Sequence, residues 1–183
     1  VRGYTRQCAY KVTVRDLAVM AVTLATGGVN PLTRERVVSD EVARQVLAVM
    51  ATCGMYDAAG DWMSTVGIPA KSGVSGGILG ALPAQVGLGV FSPRLDEHGH
   101  SVEGVRAFER MSRDLDLHLM NTAVTDAVVV RSARYDETTD RWSFRLQGAM
   151  TFAGAELFLR RLAEIPPGPG EVTIDLSRVT SVN

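Results

Sequence analysis

Residues 56–80, YDAAGDWMSTVGIPAKSGVSGGILG, constrain this chain more than any other stretch. After Lys71 come two serines, Ser72 and Ser75, and four glycines, Gly73, Gly76, Gly77 and Gly80, all within ten residues. Glycines set in an apolar run mark an unusual turn or a close backbone approach, because a Cβ would clash there. The flanking segments, 66–70 and Ile78-Leu79, read as strand. One reading is a strand whose backbone lies open to a small ligand. The other is a tight β-turn carrying a solvated lysine, and ten residues alone do not choose between them.

On either side the hydrophobic spacing predicts a mixed α/β (α+β) chain. Thr13 and Asp16 have capping-box spacing, with aspartate where glutamate or glutamine is usual. They open a helix with Leu17, Met20, Ala21 and Leu24 on its apolar face, ended by Gly27-Gly28. Ser39 caps a second helix, with Asp40 and Glu41 in its first turn and Val42, Val46, Leu47 and Met50 as its expected buried stripe. Residues 73–79 and 85–91 form an expected antiparallel hairpin around Pro83. Ser101 starts a helix with Val105, Phe108, Met111, Leu115 and Leu119 at helical spacing. The pattern then changes: a buried strand at 127–130, a turn at 136–140, a strand at 142–146, a helix from Thr151 broken at 166–168, and a strand at 172–176.

Charge and cysteine usage narrow the function classes. The net charge of -1 gives no electrostatic case for nucleic acid or an anionic membrane. No apolar run reaches the ~18 residues of a spanning helix. Cys8 and Cys53 form no CxxC pair, so a reduced, cytoplasmic setting is expected. The chain opens on Val1 in a helix-like stretch, and a fragment of a larger protein is expected. Its two lysines are Lys11 and Lys71.

The segment CGMYDAAGDWMSTVGIPAKSGVSGGI resembles the C-terminal core of the serine-dependent glutaminases, amidohydrolases related in fold to β-lactamases and penicillin-binding proteins. The likeness extends upstream through RDLAVMAVTLATGGVNPLTRERV and downstream through FSPRLDEHGHSVEG. It implies a truncated β-lactamase-like catalytic domain over 1–121, joined by a linker at 122–126 to a second domain at 127–183. The pieces FRLQGAMTFAGAELFLRRL and VTIDLSRVTSVN resemble the opening of a STAS domain, which implies a partial STAS-like α/β module there.

The resemblance implies hydrolysis of L-glutamine to L-glutamate and ammonia through a serine acyl-enzyme, without metal or cofactor, in a homo-oligomer (dimer or tetramer). It places Tyr4 (of a Y-x-x-x-C element) and Tyr56 (of CGMYD) beside the nucleophile, as catalytic and substrate-binding groups. It makes the Val74 backbone N–H an oxyanion-hole donor, with Lys71, Ser72 and Gly73 in support. A hydroxyl needs an adjacent base to become a nucleophile, and Ser-x-x-Lys occurs nowhere in the 183 residues: Lys11 and Lys71 are preceded three positions back by Cys8 and Ile68. This chain alone is therefore expected to be inactive. Cys8 and Lys11 share the spacing but fall outside the family pattern.

Each assignment has a plainer alternative. A tyrosine is usually a core or interface residue, and Lys71 is equally suited to a surface ion pair. His98-Gly99-His100, beside Asp96 and Glu97, lacks the fixed spacing of a helical metal site and reads as a solvated loop. His118 reads as a helical residue with no serine or acidic partner. Two other readings of the whole remain: a penicillin-recognising serine hydrolase, and an interaction module working through 127–183.

Overall fold

The computed structural model describes residues 1–121, 129–166 and 170–182. They divide into two compact units, Val1–Arg113 with Leu117–Leu119, and Asp114–Asp116 with Met120–Asn183. The expected linker at 122–126 and the start of the expected strand at 127 lie outside the described residues.

The first unit opens with helix α1 (Arg2–Cys8), followed by α2 (Val14–Ala25) and α3 (Asp40–Cys53). Local chemistry sets both of the longer helix starts. The Thr13 side chain accepts from the Asp16 N–H while the Asp16 carboxylate accepts from the Thr13 N–H at 2.8 Å, so the capping box is reciprocal. Ser39 accepts from the Val42 N–H at 3.2 Å. A single turn of 3-10 helix (Tyr56–Ala58) and helix α4 (Ala59–Thr65) then lead into an antiparallel sheet of β1 (Ala70–Ser72), β2 (Gly77–Leu82) and β3 (Val86–Phe91). Helix α5 (Val102–Asp114) follows.

Helix α2 lies on β2 and β3, and two glycines set how closely. A Cβ on Gly87 would stand 2.2 Å from the Val22 nitrogen, and one on Gly89 would stand 2.8 Å from the Val14 carbonyl oxygen. Helix backbone therefore rests on strand backbone. Ala21, Ala25 and Ala81 form the buried core of this contact, flanked by Leu24, Leu47 and Leu79. On the other side of the sheet Phe108 of α5 is fully buried, its ring 5.4 Å from that of Trp62 and hard against Gly80.

The structure revises several expectations. Residues 66–69 are not strand. Val66 caps α4, and the segment runs buried and irregular into β1. Its carbonyls are satisfied from outside: Ser112 Oγ donates to Val66 at 2.7 Å, the Leu119 N–H to Gly67 at 2.8 Å, and Trp62 Nε1 to Ile68 at 2.7 Å. Buried backbone needs partners, but not necessarily a strand. The expected strand at 73–79 begins only at Gly77. The expected stripe of α3 is half open, with Ala43 and Met50 buried while Val42 and Val46 are exposed. Helix α5 stops at Asp114, which leaves Leu115, His118 and Leu119 beyond it; the His118 ring fills the space a Cβ on Gly67 would need.

The second unit has β4 (Val130–Asp136), β5 (Arg141–Met150), helix α6 (Phe152–Ala163) and β6 (Glu171–Val182). Strand β5 is central, antiparallel to β4 and parallel to β6. A parallel neighbour needs a crossover, and α6 lies between the two strands in sequence. Thr151 caps α6, Phe144 and Leu146 are buried, and the Phe158 ring meets Phe144 edge-on at 5.6 Å. The i,i+4 pair of Glu156 and Arg160 closes at 2.7 Å. Strands and helix follow in the expected order.

Candidate active site

The glycine-rich stretch is a hairpin tip. The Gly76 N–H donates to the Gly73 carbonyl at 2.9 Å and the Gly73 N–H to Gly77 at 2.8 Å, closing a turn with Val74 and Ser75 at its centre. Neither central residue has positive φ, whereas Gly76 has φ +97°. That is a type I turn followed by a left-handed glycine. The Val74 side chain is 73% exposed, and its N–H has no partner among the described backbone hydrogen bonds. Both alternatives from the sequence are partly realised: the turn is tight, and one of its amides is open.

Below the tip lies a cluster built from three separate segments. The Lys71 ammonium donates to the Ser72 carbonyl and sits 4.2 Å from the centre of the Tyr56 ring. Such a cation–π contact is worth about 0.5–1 kcal/mol at a partly exposed site. Tyr56 itself has φ +50°, a left-handed conformation that costs a non-glycine residue roughly 1–2 kcal/mol. The His100 ring stacks on Tyr56 at 5.6 Å and 8°. His100 Nδ1 meets Ser72 Oγ at 2.8 Å, and its Nε2 meets the Met55 carbonyl oxygen at 3.1 Å.

His100 is the residue that sequence reasoning missed. It is 2% exposed, which overturns the solvated-loop reading of 98–100. His98 conforms better, half exposed and 3.3 Å from Asp57. The signal available was the alternation of a histidine with a left-handed glycine, Gly99 at φ +81°, which turns the second ring inward. Among the described residues no cluster of His, Cys, Asp or Glu could hold a metal ion.

A serine bonded to a histidine invites a nucleophile reading, and the geometry rejects it. Ser72 and His100 are each 2% exposed, so the pair is largely shielded even though Ser72 lines the adjoining cavity. The histidine's other nitrogen faces a main-chain carbonyl, not a carboxylate that would stabilise an imidazolium.

A cavity of about 610 Å³ opens beside the cluster, within the size range of small-molecule sites. Lys11, Leu17, Lys71, Gly73, Ser75 and Phe91 line it, so both lysines of the chain face one space. Gly73 and Ser75, the chain neighbours of Val74, line the cavity, whereas Val74 itself is not among its lining residues. Tyr4 is not brought into this group. It lies on α1, 73% exposed, and a hydrogen bond to the Cys8 side chain raises its phenol above the ordinary value. The structure thus joins Tyr56, Lys71, Ser72 and His100, sets Gly73 and Val74 at the adjoining tip, and leaves Tyr4 apart from the residues that line the cavity.

A family model described as Glutaminase matches residues 1–120. A glutaminase of Corynebacterium glutamicum is 51% identical over 181 residues, covering 99% of this chain and 43% of that protein. A crystal structure of a protein named Mglu in its glutamate form superposes with a TM-score of 0.66 at 55% identity, covering 88% of this chain and 36% of that one. The covalent complex of the Bacillus subtilis glutaminase YbgJ with 5-oxo-L-norleucine gives a TM-score of 0.62 at 38% identity, over 63% of this chain and 42% of that one. The chain thus spans less than half the length of these relatives. No helix among the described residues is long and apolar enough to cross a membrane.

Proposed function

The chain belongs to the glutaminase family, and on that premise we propose that it supplies one wall of a site hydrolysing L-glutamine to L-glutamate and ammonia. The observation that carries this is the Val74 N–H, without a hydrogen-bond partner among the described residues, in a turn whose Gly73 and Ser75 line a cavity of about 610 Å³. An amide held open in this way is suited to the negative charge that develops on a carbonyl oxygen under attack. The attacking group is a serine acylated in the first half of the reaction. The covalent adduct of the Bacillus subtilis relative favours such an intermediate. Since these 183 residues contain no Ser-x-x-Lys, the serine and its lysine base come from outside them.

Tyr56 stands next to that serine and moves a proton or hydrogen-bonds the substrate. Lys71, Ser72 and Gly73 hold the turn that presents Val74. No metal or cofactor takes part. The first unit is the C-terminal part of a β-lactamase-like catalytic domain. The second is a STAS-like regulatory module, a reading favoured by its β5–α6–β6 crossover, and the protein works as a cytoplasmic homo-oligomer.

A chimera tests the core of this reading. Residues 1–183 replace the matching stretch of the Corynebacterium glutamicum glutaminase, and ammonia release from L-glutamine is measured. The chimera is expected to turn over, and the 183-residue chain by itself is not. A folded but inert chimera, or turnover by the chain alone, overturns the assignment.

A further inference from the structure

We propose that His100 is the positioning residue that locks Tyr56 to the Lys71–Ser72 strand, so that the phenol and the strand leading into the hairpin tip are held as one unit. The Met55 carbonyl only accepts, so Nε2–H donates to it at 3.1 Å. Nδ1 pairs with the Ser72 hydroxyl at 2.8 Å. One imidazole therefore ties the residue before Tyr56 to the residue after Lys71.

Three further contacts give the ring its leverage. It stacks on Tyr56 with the ring centres 5.6 Å apart, and the left-handed backbone of Tyr56 needs an outside restraint to persist. The Lys71 ammonium sits over the same phenol. The ring itself is held from behind, because the Asp96 carboxylate accepts from the His100 N–H at 2.9 Å while the Asp96 N–H donates to the His100 carbonyl at 2.8 Å. His100 touches neither the cavity-lining glycines nor Val74 directly in any described hydrogen bond. It acts through Tyr56 and Ser72.

Three substitutions separate its two bonds. His100→Asn keeps a polar group at the Nδ1 position beside Ser72 and loses the reach to Met55. His100→Gln keeps a donor near the Nε2 position and loses the partner for Ser72. His100→Ala removes both and the stacking. In the chimera, kcat is expected to fall on the order of tenfold or more for His100→Ala with KM little changed, because misplacement of a catalytic group acts on the reacting geometry. His100→Asn recovers most of the loss, and His100→Gln less.

The turnover half of this test rests on the glutaminase reading, so a second readout is independent of it. With two lysines in the chain, acetylation by an N-hydroxysuccinimide ester, read by mass spectrometry, gives a Lys71-to-Lys11 ratio with its own internal control. Freed from Tyr56, Lys71 is expected to react several-fold faster relative to Lys11 in His100→Ala, and at the original ratio in His100→Asn. An inert chimera with His100 intact refutes the glutaminase reading while the lysine ratio still decides this one. A constant ratio across all variants overturns the proposal. So does an equal kcat loss in Asn, Gln and Ala variants that tracks their loss of thermal stability, since that is the mark of simple packing.

Discussion

Val74→Pro separates stability from turnover more cleanly than any other change in this molecule. Val74 is the first central residue of a type I turn, where proline is favoured because its fixed φ is already the one required. Its side chain is 73% exposed and its N–H bonds to nothing described, so proline removes neither packing nor an intramolecular hydrogen bond. The preceding residue is Gly73, which tolerates the restriction proline places on its neighbour. Stability is therefore expected to hold, or to rise by about 0.4–1 kcal/mol through the lower entropy of the unfolded chain. That corresponds to a Tm unchanged or a few degrees higher in a unit of this size, at roughly 4 °C per kcal/mol. Turnover moves the other way. Loss of one oxyanion donor costs about 2.7–4 kcal/mol, or 10²–10³ in kcat. Val74→Ala keeps the amide and is expected to keep most of the activity. The assay is ammonia release by the chimera, beside thermal unfolding of the same preparations. A Val74→Pro chimera that stays folded and retains most of its turnover removes the amide from the mechanism. One that unfolds refutes the description of the turn.

Tyr56→Phe deletes one hydroxyl with little change in volume, and kcat in the chimera is expected to fall on the order of 10²-fold. Tyr135→Phe in the second unit, whose hydroxyl donates to Asp140 at 2.8 Å, is the control and is expected to leave turnover unchanged; equal rates in the two variants would dismiss Tyr56 from the site. The Thr13 N–H and hydroxyl hold the Asp16 carboxyl below its ordinary value. With the folded pKa below the unfolded one, near 3.9, its support for α2 is complete above that value and disappears as pH falls through the folded pKa. Carboxyl carbon shifts followed by NMR from pH 6 downwards check this, and an Asp16 midpoint at or above the ordinary value would contradict it.

The parts of this fold that could be read in advance are those governed by neighbours in sequence. Thr13 and Asp16, Ser39, and Thr151 each satisfy orphan amides one turn away, so the starts of α2, α3 and α6 were visible as spacing. What could not be read depends on distant partners. Residues 66–69 have the composition of a strand, yet Trp62, Ser112 and Leu119 take their carbonyls. Val42 and Val46 have the spacing of a buried stripe, but amphipathic spacing says that a face is apolar, not that it is covered. The candidate site divides along the same line. Tyr56, Lys71 and Val74 were found through motif likeness, whereas His100 lies 28 residues from Ser72 and 45 from Met55. No local rule connects them.

The two glycines under α2 have a mechanical consequence for the cavity. With Gly87 and Gly89 admitting helix backbone directly against the strand, α2 and β3 meet at those two points with no side chain between them, and the buried core of the contact is made of the small residues Ala21, Ala25 and Ala81. Leu17 of the helix and Leu79 and Phe91 of the strands, all facing the cavity, keep a fixed gauge. The opposite wall, Tyr10, Lys11 and Val12, belongs to no helix or strand and lies outside this backbone contact. The cavity works like a vice with one jaw bolted down: the fixed jaw sets which shapes enter, and the jaw across from it carries Lys11.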